Sequence, residues 1–324
     1  MAGQSIDHAF TATQALGAAS DPTYAGAPSF MRRRFTKDPA GSDVTVWGIP
    51  FDASVSNRPG TRFGPQALRR ASMIFDNDPQ YPFHADLFEA LSVVDYGDCL
   101  LDYRLPETAH ETMRVEAAGL LARTGFLLTL GGDHSITYPL LQAHAERHGP
   151  LALVHFDAHQ DTWPLATAPD GRTRVDHGSF VTAAVRDGLI DPATSIQVGI
   201  RTHAPETCGI EILHGNEVED LTSAEIAQRI FSRTDGANCY LSFDIDCLDV
   251  AFAPGTGTPV AGGPSSAKML AVLHHLKTLP IVGADVVEVS PPYDHSDITA
   301  IAGSTVAMYV LGILAERKAT RARS

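Results

Sequence analysis

Short apolar runs, separated by stretches of helical length, limit what this chain can fold into more than any other feature. DVTVWGIP (43–50), FLLTLGG (126–132), LALVHFDA (151–158), SIQVGIR (195–201), YLSFDIDCL (240–248) and IVGADVVEV (281–289) read as strands covered on both faces. Between or beyond them lie candidate helices at 107–124, 138–148, 179–187, 223–233, 265–278 and 297–317. In 265–278, Met269, Val272, Leu273 and Leu276 recur at i, i+3, i+4 and i+7 and make one apolar stripe. Strands alternating with helices imply crossover connections, so the expected fold is α/β with a mainly parallel sheet between helical layers. No repeat, low-complexity segment or Pro/Gly/Ser linker divides the chain. A single catalytic domain over 41–324 is expected, behind a loop-like arm over 1–40 free to pack elsewhere, a neighbouring subunit included.

The formal net charge of -14 and the pI of about 5.3 argue against nucleic acid and anionic membrane as partners, since both demand clustered Lys and Arg. The same balance suits a small cationic substrate, and equally serves solubility alone. The apolar runs are strand-length, short of the ~20 residues that span a bilayer. Residues 1–20 show no basic segment followed by an apolar one, so the expected location is cytoplasmic. Cys99, Cys208, Cys239 and Cys247 form no CxxC pair and are expected as reduced, packed thiols.

Three segments place His or Asp at the C-terminal end of an apolar run, where open α/β sheets bind ligands. LTLGGDHS ends in Asp133 and His134, with Gly131 and Gly132 allowing close backbone approach to a bound group. VHFDAHQD carries Asp157, His159 and Asp161 two apart, on one face if extended; LSFDIDCLD does the same with Asp244 and Asp246. His134, Asp157, His159, Asp161, Asp244 and Asp246 are too many ligands for one zinc and suit two ions that share carboxylates. Oxygen-rich ligation favours Mn²⁺, with Zn²⁺, Co²⁺ or Ni²⁺ as substitutes. One such segment alone reads more simply as a cap or turn. Three of them, burying several carboxylates, call for a cation.

GGDHS, DAHQD and SFDIDCLD resemble the signature motifs of the arginase/agmatinase (ureohydrolase) family, and the resemblance runs over roughly residues 43–317. It is nearest to bacterial agmatinases over 242–263 and 282–294. The resemblance implies a three-layer α/β/α sandwich and two manganese ions per chain. One ion would take His134, Asp157, Asp161 and Asp244; the other Asp157, His159, Asp244 and Asp246, with Asp157 and Asp244 as bridges. It further implies a trimer or hexamer. His177, in VDHGSF, corresponds to the family's mobile acid/base histidine, and Glu288, in VVEVSPP, to the acid that clamps the guanidinium. On its own chemistry His177 reads as a loop residue, whereas Glu288 inside an apolar run needs a partner. Two departures stand out: 162–176 is longer than is typical of agmatinases, where the substrate tail should be read, and Val250 stands where proline is frequent. NRPGTRFGP (57–65) matches a family loop, but chemistry assigns no role to Asn57 or Arg58.

The activity this implies is hydrolysis of agmatine to putrescine and urea by attack of a metal-bridging hydroxide on the guanidinium carbon. Asp161 relays a proton, His177 exchanges protons with solvent and binds substrate, and Glu288 orients it. The nearest alternative keeps the chemistry and changes the tail: guanidinobutyrate, guanidinopropionate, arginine or guanidine, with Arg172 and Arg174 available to a carboxylate. A mono-zinc, deacetylase-like hydrolase and a non-catalytic homologue are the other readings.

Overall fold

The computed structural model describes residues 8–17, 22–75, 80–84 and 86–321. Its centre is a nine-stranded sheet, parallel throughout. The strands, in chain order, are β1 (Arg34–Phe35), β2 (Val44–Gly48), β3 (Val93–Asp98), β4 (Phe126–Leu130), β5 (Ala152–Phe156), β8 (Ile196–Ile200), β9 (Glu211–His214), β10 (Cys239–Asp244) and β11 (Ile281–Val287). The remaining pair, β6 (Ala166–Thr167) and β7 (Thr173–Arg174), forms a separate exposed antiparallel hairpin. Within the large sheet the order is β1-β3-β2-β4-β11-β10-β5-β8-β9.

That order positions the site. The crossover helix Thr137–His148 carries the chain from β4 to β5, yet those strands are not neighbours. β10 and β11, from the C-terminal part of the chain, fill the gap between them. The motif-bearing segments therefore leave adjacent central strands at their C-terminal ends, the crevice that open α/β sheets use for ligands.

Both faces of the sheet are covered, which makes three layers. On one face Val154, Phe156, Leu241 and Phe243 pack with residues of the helices Gly64–Ser72, Ser223–Thr234, Ser266–His275 and Ile298–Arg321. On the other, Leu127, Leu153 and Tyr240 pack with the helices Ala109–Leu121, Thr137–His148 and Phe180–Arg186. The predicted stripe behaves as expected, with Met269, Val272, Leu273 and Leu276 all fully buried. The helix Ile298–Thr320 is long and apolar enough to cross a membrane, but 72% of its apolar window is buried inside the molecule, as befits a core helix.

The structure departs from the sequence expectations at several points. β1, β3 and β9 and the helix Gly64–Ser72 were not anticipated, because polar residues interrupt their apolar pattern. Buried Arg69 on that helix pairs with Asp95 of β3 at 2.8 Å and with Asp98 at 2.6 Å, so an ion pair supplies the packing there. Residues 30–35 of the expected arm belong to this chain's own fold. Arg34–Phe35 forms the sheet edge beside β3, the Phe30 amide donates to Asp95 at 2.7 Å, and Arg33 lies 3.6 Å over the Phe88 ring. Residues 1–7 and 18–21 lie outside the described residues. Gly132 is needed for close approach to the chain's own backbone, not to a ligand: a Cβ there would sit 1.9 Å from the Phe51 carbonyl oxygen. All four cysteines are free, as expected.

Candidate metal centre and substrate pocket

Each donor is delivered by the loop that leaves its strand. After β4, Asp133 caps a short 3-10 turn by accepting from the Ser135 amide at 3.0 Å, which turns His134 into the crevice. After β5 the chain is not extended as the spacing suggested. Asp161 lies in the left-handed region (φ 50°), a conformation of order 1–3 kcal/mol above the ordinary ones for a non-glycine residue. At β10, Asp244 ends the strand, and its Oδ1 accepts the Asp246 amide at 2.8 Å to cap a second 3-10 turn. Alternation along a strand thus fails to explain how Asp157, His159 and Asp161, or Asp244 and Asp246, converge. Capped turns bring them together.

The resulting geometry is that of ligands around cations. His134 Nδ1 lies 3.0 Å from Asp157 Oδ2, 3.2 Å from Asp161 Oδ2 and 3.1 Å from Asp244 Oδ2. One imidazole N–H can satisfy one acceptor, not three. Spacings near 3 Å are those between neighbouring ligand atoms around a divalent cation with bonds of ~2.0–2.2 Å. A second group adjoins the first: His159 Nδ1 lies 3.3 Å from Asp157 Oδ1 and 3.1 Å from Asp246 Oδ2. Asp157 offers one oxygen to each group, as a bridging ligand must. The oxygen of Asp244 not directed at His134 is taken by its own turn.

Protein groups alone do not balance these charges. Burial would raise the Asp157 carboxyl, but the surrounding His155, His134 and His159 hold it well below its usual range. Asp244 is pushed well above its range by burial and by the charges of Asp246 and Asp157. Burial would lower His159; Asp246 and Asp157 outweigh that and raise it to about 12. Several carboxylates packed together under burial are the arrangement that a cation among them stabilises.

A layer of polar side chains beneath the donors orients them. His134 Nε2 meets Ser242 Oγ at 2.8 Å, and Ser242 donates to Asp285 at 2.6 Å. Thr137 and Tyr240 also donate to Asp285, each at 2.8 Å. His155 Nε2 donates to Asp157 at 2.7 Å while its Nδ1 accepts from Gln197 at 2.9 Å. Sequence reasoning missed His155, Ser242 and Asp285. His155 and Ser242 each stand two residues before a candidate ligand, Asp157 just past the end of β5 and Asp244 at the end of β10, and that spacing was the available signal.

His177 and Glu288 also meet. Glu288, in the left-handed region (φ 63°), directs Oε1 to the His134 amide at 2.9 Å and to His177 Nδ1 at 3.2 Å. Burial would lower His177; its hydrogen bond with Glu288 and the charges of Glu288, Asp161 and Asp133 raise it to about 9. His177 Nε2 accepts from the Ser56 amide at 3.0 Å and contacts the Ser56 hydroxyl at 2.8 Å near the surface. Glu288 Oε2 is buried and has no hydrogen-bond partner among the described residues.

The cavity over this centre measures about 360 Å³ and is lined by donors His134, His159, Asp161 and Asp244, together with Ser56, Trp163, Asp176, His177, Gly178 and Thr258. Arg172 and Arg174 face elsewhere, into an adjoining cleft of about 700 Å³ that also holds Glu107 and His110 and shares Asp176 with the metal pocket. Asn57 and Arg58 have structural roles: the Asn57 amide donates to the Gly257 carbonyl at 2.8 Å and Arg58 lies 5.0 Å over the Tyr293 ring, tying the 51–62 loop across the site. Val250 sits in an exposed turn.

A parallel α/β/α sandwich with a buried His/Asp cluster at the C-terminal edge of its central strands defines an enzyme with a binuclear metal site. Comparison with known proteins narrows the class. The Arginase family model matches residues 42–312, and the chain belongs to that family. It is 49% identical over 308 residues to an agmatinase of Chromobacterium violaceum, covering 93% of each chain. It superimposes on a crystal structure of a hypothetical agmatinase from Burkholderia thailandensis with a TM-score of 0.93, at 48% identity and covering 97% of this chain and 98% of that one. The proclavaminate amidino hydrolase of Streptomyces clavuligerus follows at 0.86 and 39%, covering 92% and 100%.

Proposed function

We propose that this chain hydrolyses agmatine to putrescine and urea, with two manganese ions as the resident cations. The oxygen-rich donor set favours manganese among first-row metals. The observation that carries the substrate reading is the unpaired, buried Oε2 of Glu288, beside His177 at the donor cluster. A buried carboxylate oxygen without a donor is unfavourable, and a planar guanidinium supplies paired N–H groups to it.

His134, Asp157, Asp161 and Asp244 would hold one ion and Asp157, His159, Asp244 and Asp246 the other. When bound, the ions lower the pKa of a coordinated water towards neutrality, which provides a nucleophile strong enough for a resonance-stabilised guanidinium. Glu288 fixes the guanidinium plane and presents its carbon to the donor side of the pocket. Asp161 Oδ2 receives the proton released from the attacking water. The amine must depart protonated, because an amide anion is too basic to leave. His177, with Nδ1 paired to Glu288 and Nε2 at the Ser56 amide and hydroxyl, supplies that proton and is replenished from the surface.

The tail reading follows from charge. Among the described residues, the only charged side chain lining the pocket apart from the donors and His177 is Asp176, and no Lys or Arg lines it; Glu288 lies behind the lining, against His177. That suits a terminal ammonium and disfavours a carboxylate tail. Mn²⁺-loaded protein is expected to release urea from agmatine with much higher kcat/KM than from 4-guanidinobutyrate, 3-guanidinopropionate, arginine or guanidine. Preference for an acid-tailed compound, or no urea from any of them, overturns the proposal.

A further inference from the structure

We propose that Trp163 and Asp176 form the tail-reading subsite: the indole covers the methylene chain and the free oxygen of Asp176 takes the terminal ammonium. This rests on the guanidino-hydrolase reading above and adds which side chains set its selectivity.

The argument begins with the long segment 162–176. Its hairpin, β6 and β7, stands exposed, and Arg172, Thr173, Arg174 and Val175 line the neighbouring cleft. Within that segment, Trp163 and Asp176 alone line the metal pocket, and Asp176 stands on the border, lining the cleft as well. The extra length therefore lies outside the pocket, while the two ends of the segment enter it.

The two ends are held in place by hydrogen bonds that leave their functional atoms unused. The Trp163 amide donates to the Gly178 carbonyl at 3.0 Å, and Thr182 Oγ1 donates to the Trp163 carbonyl at 3.0 Å. Asp176 Oδ1 accepts from the Gly178 amide at 3.1 Å and from Ser179 Oγ at 2.7 Å. Its Oδ2 accepts no hydrogen bond from any described residue. Both side chains border one gap, since a Cβ built on Gly178 would lie 3.7 Å from Asp176 Oδ1 and 3.7 Å from Trp163 Cε3. An aromatic face beside an unengaged carboxylate oxygen is the arrangement that binds an alkylammonium. The other polar lining groups are engaged: Ser56 Oγ with His177 at 2.8 Å, and Thr258 Oγ1 with Asp246 at 3.3 Å.

The experiment compares kcat/KM for agmatine and for pentylguanidine, which carries a methyl in place of the ammonium, in Mn²⁺-loaded full-length protein. Asp176→Asn keeps the Oδ1 acceptor that holds Gly178 and Ser179. It is expected to lower the agmatine-to-pentylguanidine ratio about 10–100-fold. Trp163→Leu should lower kcat/KM for agmatine about threefold to tenfold more than that for guanidine. Gly178→Ala leaves every side-chain hydrogen bond in place and fills the gap, so it should raise KM for agmatine more than KM for guanidine. Arg174→Ala should leave the agmatine-to-pentylguanidine ratio alone.

If Asp176→Asn lowers both activities in parallel, Asp176 is a helix-start cap only and the subsite is refuted. A ratio that responds to Arg174→Ala instead places the tail in the other cleft and also refutes it. Wild-type protein that cleaves both compounds without preference sinks the subsite but leaves urea release intact. Failure to cleave either one sinks the function itself.

Discussion

Glu288→Gln probes the pocket with the least disturbance to its shape. The amide keeps an oxygen to accept the His134 N–H, which lies 2.9 Å from Oε1 in the wild type, and removes only the charge. A charge-assisted hydrogen bond contributes ~1.5–3 kcal/mol. On the proposed reading Oε2 takes the guanidinium while Oε1 is already shared, so the loss should be about 1.5–3 kcal/mol, or roughly 10- to 150-fold in kcat/KM. The same change acts on His177. Burial alone lowers this histidine from 6.5, and the Glu288 hydrogen bond is the largest of the contributions that raise it to about 9. A histidine raised on folding contributes stability that is complete below pH 6.5 and is lost as pH rises through about 9. At ~1.4 kcal/mol per pH unit the contribution is at most about 3 kcal/mol. Urea-release kinetics, together with denaturant unfolding of substrate-free protein on either side of that window, test both consequences. The reasoning is refuted by a variant within threefold of wild type in kcat/KM, or by one that loses as much stability across the window as wild type does.

Three further outcomes are expected. Ser242→Ala removes the acceptor that orients His134 at 2.8 Å and should weaken Mn²⁺ binding about 10–100-fold by calorimetric titration; unchanged affinity would show that the polar layer does not tune the ligand. Chelation should lower thermal stability and Mn²⁺ should restore it, by about 4 kcal/mol at a thousandfold excess over Kd; a melting temperature insensitive to the metal contradicts the cation site. Fully buried His144 is lowered to about 4 by burial, so the unfolded chain takes up its proton first and stability falls as pH drops from 6.5 through about 4. His144→Leu should flatten that acid limb in unfolding curves, and an unaltered limb would exclude His144 as a source.

Much of this protein is legible in its residues. The apolar runs at 126–132 and 281–289 marked β4 and β11 because a strand buried on both faces must be apolar along nearly its whole length. The candidate donors stood out for a related reason. His134, Asp157, His159, Asp161, Asp244 and Asp246 follow apolar segments, where a charged or imidazole side chain calls for a partner. The helix Gly64–Ser72 and β3 escaped notice because their packing rests on Arg69 with Asp95 and Asp98, a pairing between residues that looks polar until both partners are seen.

Tertiary structure decided the rest. Strand order is set by which crossovers pack together, and it inserts β10 and β11 between β4 and β5, so segments more than a hundred residues apart share one crevice. Asp161 and Glu288 adopt left-handed backbone conformations that no local preference would choose; surrounding hydrogen bonds and packing hold them there. The direction of a charged side chain is likewise not written in its neighbours. Arg172 and Arg174 lie only a few residues from Asp176, but the hairpin turns them into the adjoining cleft alone, whereas Asp176 borders both that cleft and the metal pocket. Chemistry that depends on residue type was readable along the chain, whereas chemistry that depends on which groups face one another came from the fold, because long-range packing sets those directions.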